Sequence, residues 1–173
     1  GNMVVKGQPA SVSTKPGDLL KMLQAVFQLH AEAAKSNWSF MVDYTYLKLK
    51  ESANFLSPTG ASIGGDIITK FNLVDFGVYY KFLNTLINGR PDSSISLEAL
   101  LGGRYMQLKN TFNPNWMAAS RSASKSWTDP IIGGRLQYHI NQFWSAIMNG
   151  DIGGFGVGSH FTWSARLLGL YNF

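Results

Sequence analysis

The chain has 173 residues, is 13% aromatic and only 14% charged, against roughly 25% charged in ordinary soluble domains. It contains no run of about 18 apolar residues, which excludes a transmembrane helix but not a membrane β-barrel, whose hydropathy signal per strand is weak. It has no cysteine, so disulfides and thiolate metal sites are excluded. Its net charge of +5 is spread along the sequence without a Lys/Arg run, which argues against a nucleic-acid partner.

No Pro/Ser/Gly linker divides the chain, so residues 1–173 read as a single domain, and eighteen glycines suit a turn-rich β protein better than a helical one. Eight extended segments follow in order. The first, Met3–Ser13, contains Gly7 and Pro9 and reads as an edge or irregular piece. Pro16–Leu23 reads as a short helical turn in the first long loop, opening into a strand at Gln24–Ala33. A single amphipathic helix from Asp18 to Lys35 fits as well, because Leu19, Leu20, Leu23, Phe27 and Ala31 also suit a period of 3.6.

From there the alternation is clear. Trp38, Phe40, Val42, Tyr44 and Tyr46 alternate with Ser39, Asp43 and Thr45. Val74, Phe76, Val78, Tyr80 and Phe82 alternate with Asp75, Gly77, Tyr79 and Lys81, in a strand that could start as early as Ser62. Leu97, Ala99, Leu101 and Tyr105 alternate with Glu98, Gly102 and Arg104. In Pro130–Ile140, Ile132, Gly134, Leu136, Tyr138 and Ile140 share one parity, and Asp129, Arg135, Gln137 and His139 the other. Phe143–Ile152 and Phe161–Phe173 complete the set. In the last, Phe161, Trp163, Ala165, Leu167, Tyr171 and Phe173 oppose His160, Thr162, Ser164 and Arg166. A strand sends successive side chains to opposite faces, so each of these has one greasy and one polar face.

The connections alternate between long (Ser13–Leu23, Ser52–Ala61, Asn110–Ser126, Gly153–Ser159) and short or medium (Lys35–Asn37, Asn84–Ser94, Asn141–Gln142). Outer-membrane barrels have short periplasmic turns and longer outer loops. Asp129-Pro130 suggests the start of a strand, where proline's missing donor is tolerated.

Trp127-Thr-Asp-Pro-Ile-Ile-Gly-Gly-Arg135, Gly150-Asp-Ile-Gly-Gly-Phe-Gly-Val-Gly-Ser159, Thr162-Trp163 and Leu97-Glu-Ala-Leu-Leu-Gly-Gly-Arg-Tyr105, with Glu32, Trp38, Asp43 and Tyr46 upstream, resemble a family of uncharacterised Gram-negative outer-membrane β-barrel proteins. The resemblance runs from about Gly17 onward. It implies an exported protein whose leader has been removed, with membrane lipid as its surroundings. Members of that family begin with a further aromatic-rich strand and continue with further hairpins, so the resemblance implies a shortened version or a piece of a larger barrel. Leu170-Tyr-Asn-Phe173 resembles the C-terminal aromatic signal of such barrels.

The expected fold is an all-β, antiparallel up-and-down β-barrel of eight strands with a short helix in the first long loop. With the aromatic parity facing lipid, Asp43, Asp75, Glu98, Arg104, Asp129, Arg135, Asp151 and Arg166 form a lumenal charge network, joined by His139 and His160. Ionised groups are costly against hydrocarbon and belong inside. The trio Ser159-His160 with Asp151, and the pair His139 with Glu98, are the candidate catalytic constellations, although no spacing demands one. Gly153–Gly158 could be mistaken for a nucleotide loop, but that fingerprint needs a helix after it; a glycine hairpin turn fits better. The histidines at 30, 139 and 160 have no metal spacing. The expected role is structural, or binding or passage of a small solute, with no enzymatic activity and no cofactor. The rival is a soluble lipocalin-like barrel with its rings turned inward around an apolar ligand.

Overall fold

The computed structural model describes residues 2–5, 8–11, 22–56, 62–114 and 120–171. Every element of the described residues is a β-strand: β1 (Asn2–Val5), β2 (Gln8–Ser11), β3 (Leu23–Lys35), β4 (Trp38–Leu56), β5 (Ser62–Leu86), β6 (Ser94–Pro114), β7 (Arg121–His139), β8 (Trp144–Gly153) and β9 (Thr162–Tyr171). Strands β3 to β9 form one seven-stranded sheet in sequence order, while β1 and β2 pair only with each other. The pairings are antiparallel where the register is defined: Met3 opposite Ala10, Arg135 opposite Asn149, and Ile152 opposite Trp163.

The architecture is therefore β-barrel-like, but with seven strands in the sheet rather than eight. The expected first strand, Met3–Ser13, folds back on itself as the β1–β2 hairpin instead of joining the ladder. Pro9 disfavours a place inside the main sheet, because it lacks a ladder donor. The ambiguous segment is a strand, β3. Of the helix expected at Pro16–Leu23, all but Met22 and Leu23 lies outside the described residues, and Leu23 opens β3.

The strands are also longer than their hydrophobic alternation, at 19, 25, 21 and 19 residues for β4 to β7. The first half of the long connection expected at Ser52–Ala61, and all but one of the described residues of that expected at Asn110–Ser126, are strand. Backbone pairing continues there through Lys, Ser, Asn and Thr, because a ladder needs no apolar face to persist. Pro130 consequently lies inside β7 rather than at its start. It sits one residue past the β7–β8 ladder, which begins at Ile131 opposite Gly153, so on that side no donor is missed.

The chain divides into two compact units. Unit 1 comprises residues 1–26, 46–71 and 109–124. Its strands are tied by Lys50 to Asp66 (2.7 Å), Ser52 to Asp66 (2.7 Å) and Thr69 to Asn110 (2.9 Å).

Unit 2 comprises residues 27–45, 72–108 and 125–173. Here the sheet curls on itself, since Arg135 of β7 reaches Glu32 of β3 and Arg166 of β9 reaches Asp43 of β4. Strands β5 and β6 approach closely where both are bare: a Cβ on Gly77 would come within 2.8 Å of the Leu101 carbonyl oxygen. The connections are tight at Ser36-Asn37 and at Asn141, whose side chain accepts the Phe143 and Trp144 N–H groups (both 2.9 Å). Gly154 and Gly156 carry positive φ in the β8–β9 turn, as expected of a glycine hairpin turn, and Phe155 between them does so as well.

Two faces emerge in unit 2. Met41, Tyr79, Leu100 and Ile131 form a small apolar cluster on the inner face, beside buried Asp75, Glu98, Arg104, Asp129, Arg135 and Asp151. The outer face carries Trp38, Phe40, Phe76, Tyr80, Leu101, Trp144 and Trp163, all exposed. Rings gather at the short-turn end, where Trp38 packs on Tyr80 (4.7 Å) and Trp144 on Tyr171 (5.0 Å).

Candidate functional site: the charged interior of unit 2

Strict alternation along β3–β9 places the site. The parity that sends Phe76 and Val78 outward turns Asp75 and Tyr79 inward, and likewise Glu98 and Arg104 on β6, Arg135 on β7, Asp151 on β8 and Arg166 on β9. Three arginines organise these groups.

Arg104 grips Asp75 with two parallel bonds, Nε to Oδ1 at 2.7 Å and Nη2 to Oδ2 at 2.9 Å, and its Nη2 lies 3.0 Å from Asp151. All three side chains are almost wholly buried. A planar guanidinium offers donors in a fixed fork, which suits carboxylates held on strands on either side of it.

Arg135 makes the same two-pronged contact with Glu32 (2.9 and 2.7 Å), donates to Glu98 at 3.3 Å and donates through Nε to Asn149 at 3.0 Å. Its guanidinium lies over the buried Tyr79 ring at 3.8 Å, a cation–π contact in a desolvated setting. Lys81 approaches Glu98 from a more exposed position at 3.8 Å.

Arg166 donates to Asp43 at 2.8 Å, and Asp43 also meets His30 Nδ1 at 2.5 Å. Asn149 lies opposite both Arg135 and Arg166 in the ladder, so one inner row runs Arg135–Asn149–Arg166 across three strands. Between this row and strands β3 and β4 lies a cavity of about 520 Å³. Its lining includes His30, Glu32, Asp43, Arg135, Gln137 and Arg166.

Seven of the eight residues expected in the charge network meet in these ion pairs: Asp43, Asp75, Glu98, Arg104, Arg135, Asp151 and Arg166. Asp129 is different. It is fully buried, but its Oδ1 accepts the backbone N–H groups of Gly158 (3.0 Å) and Ser159 (2.7 Å), tying β7 to the glycine turn. Gly158 has to be glycine there, because a Cβ would lie 2.7 Å from that same oxygen.

Sequence reasoning left Glu32, His30, Tyr79 and Asn149 out of the network. Glu32 and His30 sit in the segment whose strand and helix periods compete; read as a strand, both fall on the inner parity. Tyr79 and Asn149 carry no charge to betray them.

The two catalytic constellations do not assemble. Ser159 Oγ accepts the Trp127 indole N–H at 2.8 Å, His160 is exposed, and Glu98 is engaged by Arg135 and Lys81. His139 instead meets Ser145 Oγ at 2.8 Å, with no carboxylate joined to the pair among the described residues. Those residues also hold no group of three or more His, Asp or Glu able to hold a metal ion. The strand β9, not a helix, follows Gly153–Gly158. No family model matches the chain, and no curated protein or solved structure is significantly similar to it.

Proposed function

We propose that this chain is an outer-membrane β-barrel protein whose charged interior holds the barrel wall in register and binds or passes a small polar solute. The observation that carries this reading is the inverted polarity of unit 2. Leu101, Trp163 and Leu167 are 68%, 70% and 77% exposed, while Asp75, Glu98 and Arg104 are at most 5% exposed. Water would impose the opposite arrangement, because exposed apolar area costs about 25 cal/mol per Å² and ion pairs are costly to bury. Hydrocarbon outside and fixed charges inside remove both penalties.

The dimensions agree. The outward residues of β8 from Trp144 to Ile152 cover about 27 Å of strand, or about 19–22 Å of height at a tilt of about 35–45°, most of an apolar band about 25 Å tall. The resemblance to uncharacterised outer-membrane barrels points the same way. A lipocalin-like carrier would need its rings inside, where Arg104, Arg135 and Arg166 lie instead. The lining of the 520 Å³ cavity, with Glu32 and Asp43 against Arg135 and Arg166, suits a small polar or zwitterionic solute rather than an apolar one.

The test is refolding from urea into phosphatidylcholine vesicles with brominated acyl chains. The outward Trp38, Trp144 and Trp163 should be strongly quenched and the protein should float with the vesicles. A folded protein that stays in buffer with unquenched tryptophans would overturn the reading.

A further inference from the structure

The net charge of the protein is not shared between its two units. Unit 2 holds seven Lys and Arg against seven Asp and Glu, whereas unit 1 holds eight against three. All of the +5 therefore belongs to unit 1. In sequence these cations are scattered among residues 6–121, so no run betrays them; strand pairing brings four of them, Lys48, Lys50, Lys70 and Lys109, to one face.

Two contacts inside unit 1 fix which face they share. The Lys50–Asp66 ion pair puts the even-numbered residues of the β4 and β5 segments on one side, so Tyr46, Lys48, Lys50 and Lys70 lie together. The Thr69–Asn110 hydrogen bond puts those two residues on the opposite side, so Lys109 of β6 joins Lys70. Asp66 offsets Lys50. Lys48, Lys70 and Lys109 have no acidic partner among the described residues.

We infer that this lysine face of unit 1 binds the phosphate headgroups of anionic lipid. The inference rests on the membrane reading above. Lysine ammoniums are compact point charges on flexible stems, suited to phosphates whose positions vary, unlike the rigid forks that arginine presents inside unit 2. Along a strand such residues stand about 7 Å apart and neighbouring strands about 5 Å, a lattice matching a layer of headgroups rather than one enclosed anion. Tyr46 on the same face adds the aromatic residue that favours the headgroup level.

The test uses the whole chain in phosphatidylcholine vesicles doped with pyrene-labelled phosphatidylglycerol or, in parallel, pyrene-labelled phosphatidylcholine. Energy transfer from the protein's tryptophans reports which lipid gathers around it. One lysine at a membrane surface is worth enough for about fivefold local enrichment of the anionic label. That enrichment should vanish in the Lys48→Gln/Lys70→Gln/Lys109→Gln variant. It should also vanish for the unaltered protein in about 1 M NaCl, where the screening length falls to about 3 Å; this arm needs no variant to fold. Equal transfer to both labels, or enrichment that survives salt and substitution, would overturn the inference while leaving the membrane reading intact. Loss of the phosphatidylglycerol signal to an added single-stranded oligonucleotide would reassign the face to nucleic acid. Failure to float with either vesicle would remove the membrane reading and this inference with it.

Discussion

Arg135 shows how a single residue sets the energetics of the interior. It answers Glu32, Glu98 and Asn149 at once and lies on the Tyr79 ring. Arg135→Met keeps the volume but strips Glu32 and Glu98 of their shared guanidinium, leaving only His30 (3.5 Å) and Lys81 (3.8 Å) beside them, and removing one member of a buried pair costs about 3–5 kcal/mol. Urea unfolding of the vesicle-inserted protein should show that loss. Lys81→Met, which removes only a half-exposed cation 3.8 Å from Glu98, should cost no more than about 1 kcal/mol. Equal losses for the two variants would mean that the network does not pivot on Arg135. Asp129 makes a different prediction. Asp129→Ala deletes the charged acceptor of the Gly158 and Ser159 N–H groups, and because both lie in a partly exposed turn that water can reach, each loss should cost about 1 kcal/mol. Amide exchange should speed up at those two positions before it changes in the β7–β8 ladder.

Each strand of unit 2 is a two-sided object, and β9 displays this most plainly. Trp163, Ala165 and Leu167 point one way while Thr162, Ser164 and Arg166 point the other. On the proposed membrane reading, an arginine at the outward Leu167 should lower the yield of insertion into vesicles, by about 2–4 kcal/mol for a position near the midplane. A water-facing β9 would accept Leu167→Arg without loss, so unchanged yield would count against the membrane reading. At this scale the sequence is also most legible. The alternation in Val74–Phe82, Leu97–Tyr105 and Pro130–Ile140 named both the strands and their inward charges, because a period of two admits no other regular structure. It understated strand length, since Lys48–Ser52 and Lys109–Asn113 carry no hydrophobic pattern although the ladder runs through them.

For the whole molecule, charge separates two kinds of electrostatics. The Arg104–Asp75–Asp151 and Arg135–Glu98 ion pairs of unit 2 are buried among strands and should be insensitive to salt, whereas the lysine face of unit 1 is open to screening. Adding about 1 M NaCl should therefore leave the unfolding midpoint of the inserted protein nearly unchanged while abolishing anionic-lipid enrichment. A midpoint that fell steeply with salt would indicate that the interior is wet and its pairs weak. The seven-stranded order also makes β3 and β9 the two edges of the sheet. Arg166–Asp43 and Arg135–Glu32, rather than a ladder, link the β7–β9 side to the β3–β4 side.

The amino-acid order alone determined the class of fold, the faces of the clearly alternating strands and most of the ionised groups that turn inward, because side-chain direction in a strand depends only on the parity of position; Glu32, in the segment of competing periods, was missed. Partnership was decided in three dimensions. Glu32 and Arg135 are 103 residues apart and Asp43 and Arg166 are 123, so nothing in local spacing links them. Only the curl of the sheet in unit 2 brings them within a hydrogen bond. The same holds for Asp129, whose charge suggested an ion pair until the glycine turn folded back over it, and for Lys48, Lys50, Lys70 and Lys109 of unit 1, scattered in sequence and gathered by strand pairing.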